Sequence, residues 1–216
     1  MSTLPSKLPE ANVAAQSCVH IVDDDNSFRR AVGRLLQAEG FSVREYTSAG
    51  EFLISSPERH LGCVLLDIRL PGPSGLELQD ALRVRGVYLP IIFLSGHADV
   101  PMSVRAMKAG ATDFLTKPVK RPVLLQAIRV AVDRGVSDRT RREQARVFQG
   151  RFDDLTPRER EVFHYVVIGW LNKQIAADLG MSERTVKAHR SQVMRKMQAD
   201  SVAELVRLSG QLSPQD

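Results

Sequence analysis

The stretch CVHIVDDDNSFRR, residues 18–30, starts with five mostly apolar residues and runs directly into three carboxylates. Short runs rich in Val and Ile are typical of a buried β-strand. Three consecutive carboxylates at the end of such a strand repel one another unless a cation lies among them. The stretch therefore predicts a strand whose carboxyl end carries a charged site.

From residue 18 to about residue 134, short β-rich runs alternate with segments of helical period, which indicates βα units on a parallel sheet. The first, third and fourth runs are apolar enough for burial on both faces, so we expect them to be central in a doubly wound α/β fold. The strand candidates are CVHIV, FSVRE, CVLLD, PIIFL and TDFL. Helices are predicted near residues 27–39, 48–55, 75–85, 100–109 and 121–134, with stops at Gly40, Gly86 and Gly110.

Five polar side chains follow the carboxyl ends of these strands, where open parallel sheets place their ligand sites. They are Asp23, Asp24, Asp67, Ser95 and Lys117. Carboxylate oxygens suit Mg²⁺, and together with the ammonium and the hydroxyl they would form a pocket for a tetrahedral dianion such as a phosphoryl group. A carboxylate nucleophile can accept that group and become an aspartyl-phosphate.

At these residues the sequence resembles the receiver domain of bacterial response regulators, over nearly all of residues 18–134. The resemblance implies a flavodoxin-like five-stranded parallel sheet of order 2-1-3-4-5, with Asp67 as the phosphoacceptor. It also implies that Asp24 and Asp67 ligate Mg²⁺, with Mn²⁺ as an alternative ion. The backbone carbonyl of Arg69 would complete the protein ligands, and Asp23 would act through water.

The same resemblance assigns roles to the later strand ends. Ser95 and Phe114 would form the switch pair, and Lys117 would bind the phosphoryl oxygens. The bond between Lys117 and Pro118 is expected to be cis, as X-Pro bonds can be.

Neighbouring polar and thiol groups have simpler interpretations. Asp25 and Asn26 are assigned to the start of the following helix, where their acceptors satisfy free N–H groups. His97 is interpreted as an exposed loop residue, with tuning of dephosphorylation as a secondary hypothesis. Cys18 and Cys63 lack metal-ligand spacing and are predicted to be inert core thiols.

Residues 156–209 contain closely spaced helical patterns and no strand candidates. Capping boxes, TPRE from Thr156 and SVAE from Ser201, mark two helix starts. Between them, a short helix from Asn172, a turn at residues 180–182 and a longer helix have the spacing of a helix-turn-helix.

The longer helix has two different faces. Val186, Val193 and Met197 cluster on one side at about 100° per residue and should pack inward. Cations on the other side can hold phosphates or read guanine, and small residues allow close approach to bases. A solvated amphipathic helix is the alternative for the charge pattern alone. The outer side carries Arg184, Lys187, Ala188, Ser191 and Arg195.

The segment from LTPRER to VMRKM, residues 155–197, resembles the LuxR-type helix-turn-helix, and the pair of domains resembles response regulators of the FixJ/NarL type. This implies that Lys187, Ala188 and Ser191 face bases. The last helix, near residues 202–209, would be a dimer surface, with core packing as the alternative. By the same resemblance four residues lie nearer the phosphates: Lys173, Arg184, Thr185 and Arg195.

The sequence patterns and the two resemblances together predict an α/β domain followed by an all-α domain. We expect a flexible tail over residues 1–16, the receiver over 17–134, and a four-helix DNA-binding domain over 153–216. Residues 135–152 would form a mostly helical linker in which Gly135 and Ser137 could break the helix. The excess positive charge of residues 117–150 is interpreted as solvation, with salt-sensitive attraction to DNA as an alternative.

The 216 residues are 43% hydrophobic and 25% charged, a composition typical of a folded globular protein. The chain shows neither a leader pattern nor an apolar run of membrane-spanning length, so we expect a cytosolic protein that binds no membrane. The predicted function is a two-component transcription regulator and not an enzyme, beyond its own phosphorylation and dephosphorylation. A sensor histidine kinase would phosphorylate Asp67, the homodimer would bind double-stranded DNA, and RNA polymerase is a further candidate partner.

Two rival functions are weighed against this one. A phosphatase or phosphotransferase acting through Asp67 is disfavoured, because Arg69 stands where haloacid-dehalogenase-like enzymes place a second acid. The other rival is a phosphate-independent DNA-binding regulator that uses its receiver-like domain only to dimerise.

Overall fold

The chain forms two compact units that divide between Asp138 and Arg139. The computed structural model describes residues 17–55, 61–96 and 100–210. The predicted N-terminal tail and His97 lie outside the described residues. Within them, no helix is both long enough and apolar enough to cross a membrane.

The first unit alternates strands and helices, as predicted. All strand pairings are parallel, in the order β2-β1-β3-β4-β5, which confirms the doubly wound sheet. The strands are β1 Cys18–Val22, β2 Ser42–Tyr46, β3 Gly62–Asp67, β4 Ile91–Ser95 and β5 Asp113–Thr116. The helices are α1 Asn26–Ala38, α2 Ala49–Ile54, α3 Gly75–Val84, α4 Val100–Lys108 and α5 Arg121–Asp153.

Two apolar clusters, one on each face of the sheet, hold this unit together. β1, β3 and β4 are buried along their whole length, as their apolar sequences predict. Because successive side chains of a strand point to opposite faces, Ile21 enters the cluster beneath α1 and α5, and Val22 enters the one beneath α2, α3 and α4. Each such buried aliphatic side chain stabilises the fold by roughly 1.5–3 kcal/mol.

In the first unit the cap of α1 at Asp25 and the glycine stops are formed as predicted, whereas the Asn26 side chain accepts from the Arg29 guanidinium instead of the predicted backbone N–H. The Asp25 carboxylate accepts hydrogen bonds from the backbone N–H groups of Ser27 and Phe28, at 2.9 and 3.1 Å, so it caps α1. The three predicted glycine stops all have positive φ angles, which glycine adopts without steric cost.

Helix α5 continues without a break from Arg121 to Asp153, so the considered break at Gly135 and Ser137 does not occur. Gly135 has a packing reason instead. A Cβ atom there would lie 3.0 Å from the carbonyl oxygen of Gly62 and 3.2 Å from Cγ of Pro90. The missing side chain lets α5 approach the amino ends of β3 and β4 closely, which offsets the low helix propensity of glycine.

The second unit consists of four helices packed around the end of α5. Its core includes Phe148 of α5, Phe163, Val193 and Leu205, all buried. The last helix buries Leu205 and leaves Val206 42% exposed. The helices are α6 Pro157–Val167, α7 Asn172–Leu179, α8 Glu183–Met197 and α9 Val202–Ser209.

The two predicted capping boxes differ in the structure. At Thr156 both hydrogen bonds of the box are present, with Glu159 as the partner. At Ser201 only the hydroxyl bond to the N–H of Glu204 forms, because the Glu204 carboxylate accepts from the N–H of Asp200 instead, at 3.0 Å. The second box is therefore half formed.

Both cysteines lie in the first unit as buried free thiols. Burial raises the pKa of the Cys63 thiol to about 12, and burial also raises the pKa of Cys18. Because only the thiolate is reactive, neither thiol should react with an aromatic disulfide reagent at pH 8 in the folded protein. Both should react at once in denaturant; fast labelling of the native protein would contradict this assignment.

Candidate functional site

Three carboxylates meet at the carboxyl end of the sheet. β1 and β3 are neighbours, so Asp23 and Asp24, which follow β1, come next to Asp67, the last residue of β3. One carboxylate oxygen of each lies within 4.8 Å of the others. Asp23 is fully buried, Asp67 is 8% exposed and Asp24 is exposed. This arrangement concentrates negative charge in a partly desolvated site.

Lys117, which follows β5, supplies a positive charge to this site. Its ammonium lies 2.6 Å from Oδ2 of Asp23 and 2.5 Å from Oδ2 of Asp67, and 4.2 Å from the ring centre of Phe28. Burial alone would lower the pKa of Lys117, but the hydrogen bonds to the two carboxylates outweigh it and the pKa is raised. Burial raises the pKa of Asp23, opposed by its bonds to Lys117.

Backbone and side-chain contacts hold the carboxylates in place. The N–H of Asp25 donates to Oδ1 of Asp23 at 3.0 Å, and the N–H of Arg69 donates to Oδ1 of Asp67 at 2.9 Å. Arg29 of α1, only 7% exposed, donates to the backbone carbonyl of Asp23 at 2.6 Å. The carboxyl groups of Asp23 and Asp67 are thus oriented before any ligand binds.

Arg29 is a residue that sequence reasoning missed. Its guanidinium also donates to the Asn26 side chain at 2.9 Å and lies 3.5 Å from the carboxylate of Glu45 on β2. Its position in the sequence could have indicated this role. Arg29 lies one helical turn after the three consecutive aspartates, on a helix that must begin beside the site.

Ser95 and Phe114 lie on the neighbouring strands β4 and β5. Ser95 pairs with Thr116, and Phe114 stands two residues earlier, so both side chains point to the same face of the sheet. Ser95 is 1% exposed, whereas Phe114 is half-buried, with its ring 6.3 Å from that of Phe93. The predicted peptide bond between Lys117 and Pro118 is cis.

The second unit presents a helix-turn-helix made of α7 and α8. The turn passes through Gly180, whose φ is 64°. Val186, Val193 and Met197 of α8 are fully buried, as predicted. Arg190, which sequence reasoning did not single out, donates to the Asn172 side chain at 3.0 Å and ties the two helices together. All the residues predicted to face DNA are exposed: Lys173, Arg184, Thr185, Lys187, Ala188, Ser191 and Arg195.

Two of these exposed residues also have local roles. The N–H of Thr185 donates to the capping hydroxyl of Ser182 at 3.1 Å, and Arg195 donates to the Gln192 side chain at 2.6 Å. A doubly wound domain with an acidic site at the carboxyl end of its sheet, followed by a helix-turn-helix with exposed cations, defines the class of two-domain proteins to which the chain belongs.

Comparison with known proteins identifies the family. Residues 19–129 match the response regulator receiver domain, and residues 153–209 match the bacterial regulatory proteins of the luxR family. The chain belongs to the response regulators that join these two domains, as predicted. The receiver implies a sensor kinase as partner, and the helix-turn-helix implies DNA binding.

Several relatives span most of the chain. Nodulation protein W of Bradyrhizobium diazoefficiens is 45% identical over 91% of this chain and 86% of its own length. Transcriptional regulatory protein FixJ of Azorhizobium caulinodans is 44% identical over 88% of this chain and 90% of its own length. The solved structure of response regulator StyR is similar with a TM-score of 0.79, at 42% identity, covering 90% of this chain and 98% of StyR.

Proposed function

We propose that this protein is a transcription regulator switched by Mg²⁺-dependent phosphorylation of Asp67 by a sensor histidine kinase. The observation that carries the proposal is the position of the Asp67 carboxylate. It lies among two further carboxylates, 2.5 Å from the Lys117 ammonium and 2.9 Å from a backbone N–H. A nucleophile so placed can receive a phosphoryl group whose oxygens are then neutralised.

The acidic cluster fits a hard divalent cation. Oxygens of Asp23, Asp24 and Asp67 within 4.8 Å of one another are the donor type that Mg²⁺ prefers. Asp24 and Asp67 would be direct ligands together with the backbone carbonyl of Arg69, and Asp23 would act through water. When bound, Mg²⁺, or Mn²⁺ in its place, supplies positive charge to the transferring phosphoryl oxygens.

The transfer itself is a substitution at phosphorus. One Asp67 oxygen forms the new P–O bond, the P–N bond to the kinase histidine breaks, and the imidazole leaves with that electron pair. Lys117 carries three N–H donors, two of them directed at Asp23 and Asp67, so it can donate to a phosphoryl oxygen within the same site.

Phosphorylation would then shift a two-state equilibrium of the receiver. The added negative charge draws the Ser95 hydroxyl toward the phosphoryl oxygens, and Phe114 turns into the space released. The remodelled surface would be α4 and β5, and dimerisation there would cover apolar side chains that the monomer exposes. On α4 and on α5 they include Val104, Met107, Val123 and Val130, each between 45% and 49% exposed.

The dimer would present two α8 helices to DNA half-sites about one helical turn apart, or a multiple of it. Lys187, Ala188 and Ser191 would face the bases, and the other exposed cations of the helix-turn-helix would hold phosphates. RNA polymerase is a further partner proposed for the bound regulator.

The proposal is tested by selecting binding sites from a random DNA pool with the full-length protein, in Mg²⁺ with and without acetyl phosphate. With acetyl phosphate we expect a two-fold symmetric site, bound at least about tenfold more tightly than without it, and a dimer by light scattering. Equal affinity and equal mass under both conditions would contradict phosphorylation control. They would support the phosphate-independent regulator instead.

A further inference from the structure

The recognition helix α8 ends in an unusual backbone conformation. Its cap residue, Gln198, has φ 52° and ψ 44°, the left-handed region that normally favours glycine. Among residues 17–55, 61–96 and 100–210 no other non-glycine residue has a positive φ. The last carbonyl groups of a helix lack intrahelical donors and carry partial negative charge. Here the N–H groups of Gln198 and Ala199 donate to the carbonyl oxygens of Arg195 and Met194, so the carbonyls that follow them need partners from outside the helix.

Arg151, in the last turn of α5, supplies those partners. Its guanidinium donates through Nη1 to the carbonyl oxygen of Met197, at 3.2 Å, and through Nη2 to Oε1 of Gln198, at 2.5 Å. Arg151 is half-buried, which strengthens its bond to the Met197 carbonyl relative to an exposed pair, whereas the bond to the Gln198 side chain is exposed. One planar side chain therefore fixes the last backbone carbonyl of α8 and the side chain of its cap residue.

The end of α5 is held in turn by α8. Lys196 of α8 donates to the carbonyl oxygen of Asp154, just after α5, at 3.1 Å, and to the carboxylate of Glu159 at 2.7 Å. Glu159 is 6% exposed and also closes the capping box of α6. The ends of α5 and α8 are thus joined by two cationic side chains: Arg151 of α5 bonds to the end of α8, and Lys196 of α8 bonds to the residue that follows α5.

Because α8 is a rigid rod, anchoring its carboxyl end also fixes the position of the residues proposed to face DNA. Lys187 lies about 15 Å along the axis from Met197 at 1.5 Å per residue, so a tilt of about 10° at the anchored end moves Lys187 by about 3 Å. Such a displacement separates a side chain from a base edge, because hydrogen bonds to bases weaken steeply with distance. Contacts to phosphates along the backbone are less sensitive to it.

We propose that Arg151 is a positioning residue for DNA recognition, which fixes the orientation of α8 through Met197 and Gln198. The inference rests on DNA binding through α8. It predicts a loss of sequence-specific affinity that exceeds any loss of non-specific affinity.

The test compares full-length variants on DNA selected by the phosphorylated wild-type protein and on random-sequence DNA. Arg151→Ala should raise the dissociation constant for the selected site about tenfold, the order expected for losing charge-assisted hydrogen bonds. Affinity for random DNA should fall by no more than about twofold, since one cation is lost. Arg151→Lys keeps the charge and one donor position, so it should restore part of the specific affinity.

Arg146→Ala is the matched control, because Arg146 is an exposed arginine of the same helix that forms an ion pair with Glu143, three residues before it, at 3.4 Å. It removes the same charge, so it should lose no more than about twofold in affinity on either DNA. Gln198→Asn separates positioning from folding, since asparagine tolerates the left-handed conformation but is one methylene too short for Arg151. It should keep the thermal midpoint and still lose specific affinity severalfold, even if Arg151→Ala folds poorly.

Selected-site affinity equal to wild type in both Arg151→Ala and Gln198→Asn overturns the positioning role while leaving the DNA-binding function intact. Equal losses on selected and random DNA also overturn it, since they indicate a simple charge effect. Failure of the wild-type protein to select any site overturns the DNA-binding function and the inference together.

Discussion

Asp67→Asn will gain no phosphoryl group when the full-length protein is incubated with acetyl phosphate and Mg²⁺, whereas the wild-type protein will gain one. The neutral amide keeps the size of the side chain but removes the nucleophilic carboxylate, so the expected loss is complete. The Lys117 ammonium, 2.5 Å from the Asp67 carboxylate, can still bond to the amide oxygen of asparagine, but it no longer faces a charged oxygen that can attack phosphorus. Intact-protein mass spectrometry measures the outcome directly.

The acidic triplet offers a matched pair of controls for the metal. Asp24→Asn removes a proposed ligand and should abolish most of the mass gain, as should EDTA with the wild-type protein. Asp25→Asn changes the next residue, whose carboxylate caps α1 through the N–H groups of Ser27 and Phe28. Asparagine is an equally good cap, so this variant should behave as wild type.

Two results would contradict the assignment. A mass gain in Asp67→Asn would show that another group accepts the phosphoryl, and equal behaviour of Asp24→Asn and Asp25→Asn would remove the metal role of Asp24. If the wild-type protein itself gains nothing, a purified histidine kinase replaces acetyl phosphate, because small donors can fail. Continued absence of phosphorylation would then favour the phosphate-independent regulator.

The acidic site formed by Asp23, Asp24 and Asp67 could be predicted from the sequence, because it depends only on local strand patterns and on the parallel topology of the sheet. Each polar residue follows an apolar strand, and parallel strands bring their carboxyl ends to one edge of the sheet. Asp23 and Lys117 lie 94 residues apart in sequence, yet the strand-end rule alone places them together, and the structure has them in contact at 2.6 Å. The Asp25 cap follows from the same kind of local rule.

Other features depend on packing that no local pattern encodes. The burial of Arg29 depends on Glu45 of β2, which only the folded sheet brings within 3.5 Å. Gly135 has low helix propensity, but the close approach to Gly62 and Pro90 decides its conformation. The left-handed cap at Gln198 is likewise not typical of glutamine, and Arg151, its partner, is 47 residues away.

Phe148 and Phe152 show the same limit at the predicted linker. Residues 135–152 are predicted as a linker because they lie between the two domains, but Phe148 is 2% exposed and packs into the core of the second unit, with Phe152 half-buried against that core. The end of α5 is therefore structurally part of the helical unit, which its position between the domains cannot reveal.

Lys187→Glu should reduce the affinity for the selected DNA site by at least about 100-fold, the second large effect that we expect. Lys187 is exposed on α8, opposite the buried Val186, Val193 and Met197, so it points away from the core of its own unit. A lost base contact costs roughly 1–3 kcal/mol. The introduced carboxylate adds repulsion from the phosphates, and about 100-fold corresponds to roughly 2.7 kcal/mol.

The control is Arg158→Glu, an equal change of charge on the exposed surface of α6, where Arg158 forms an ion pair with Glu161. Both variants carry the same net charge, so they share any general electrostatic loss, and the excess loss of Lys187→Glu measures the local contribution of α8. Mass gain with acetyl phosphate should be unchanged in both, which shows that the receiver is intact. Equal DNA affinities of the two variants would mean that α8 does not enter the groove. If α8 lies in the major groove, a charge reversal on its outer face must weaken DNA binding more than the same reversal on α6.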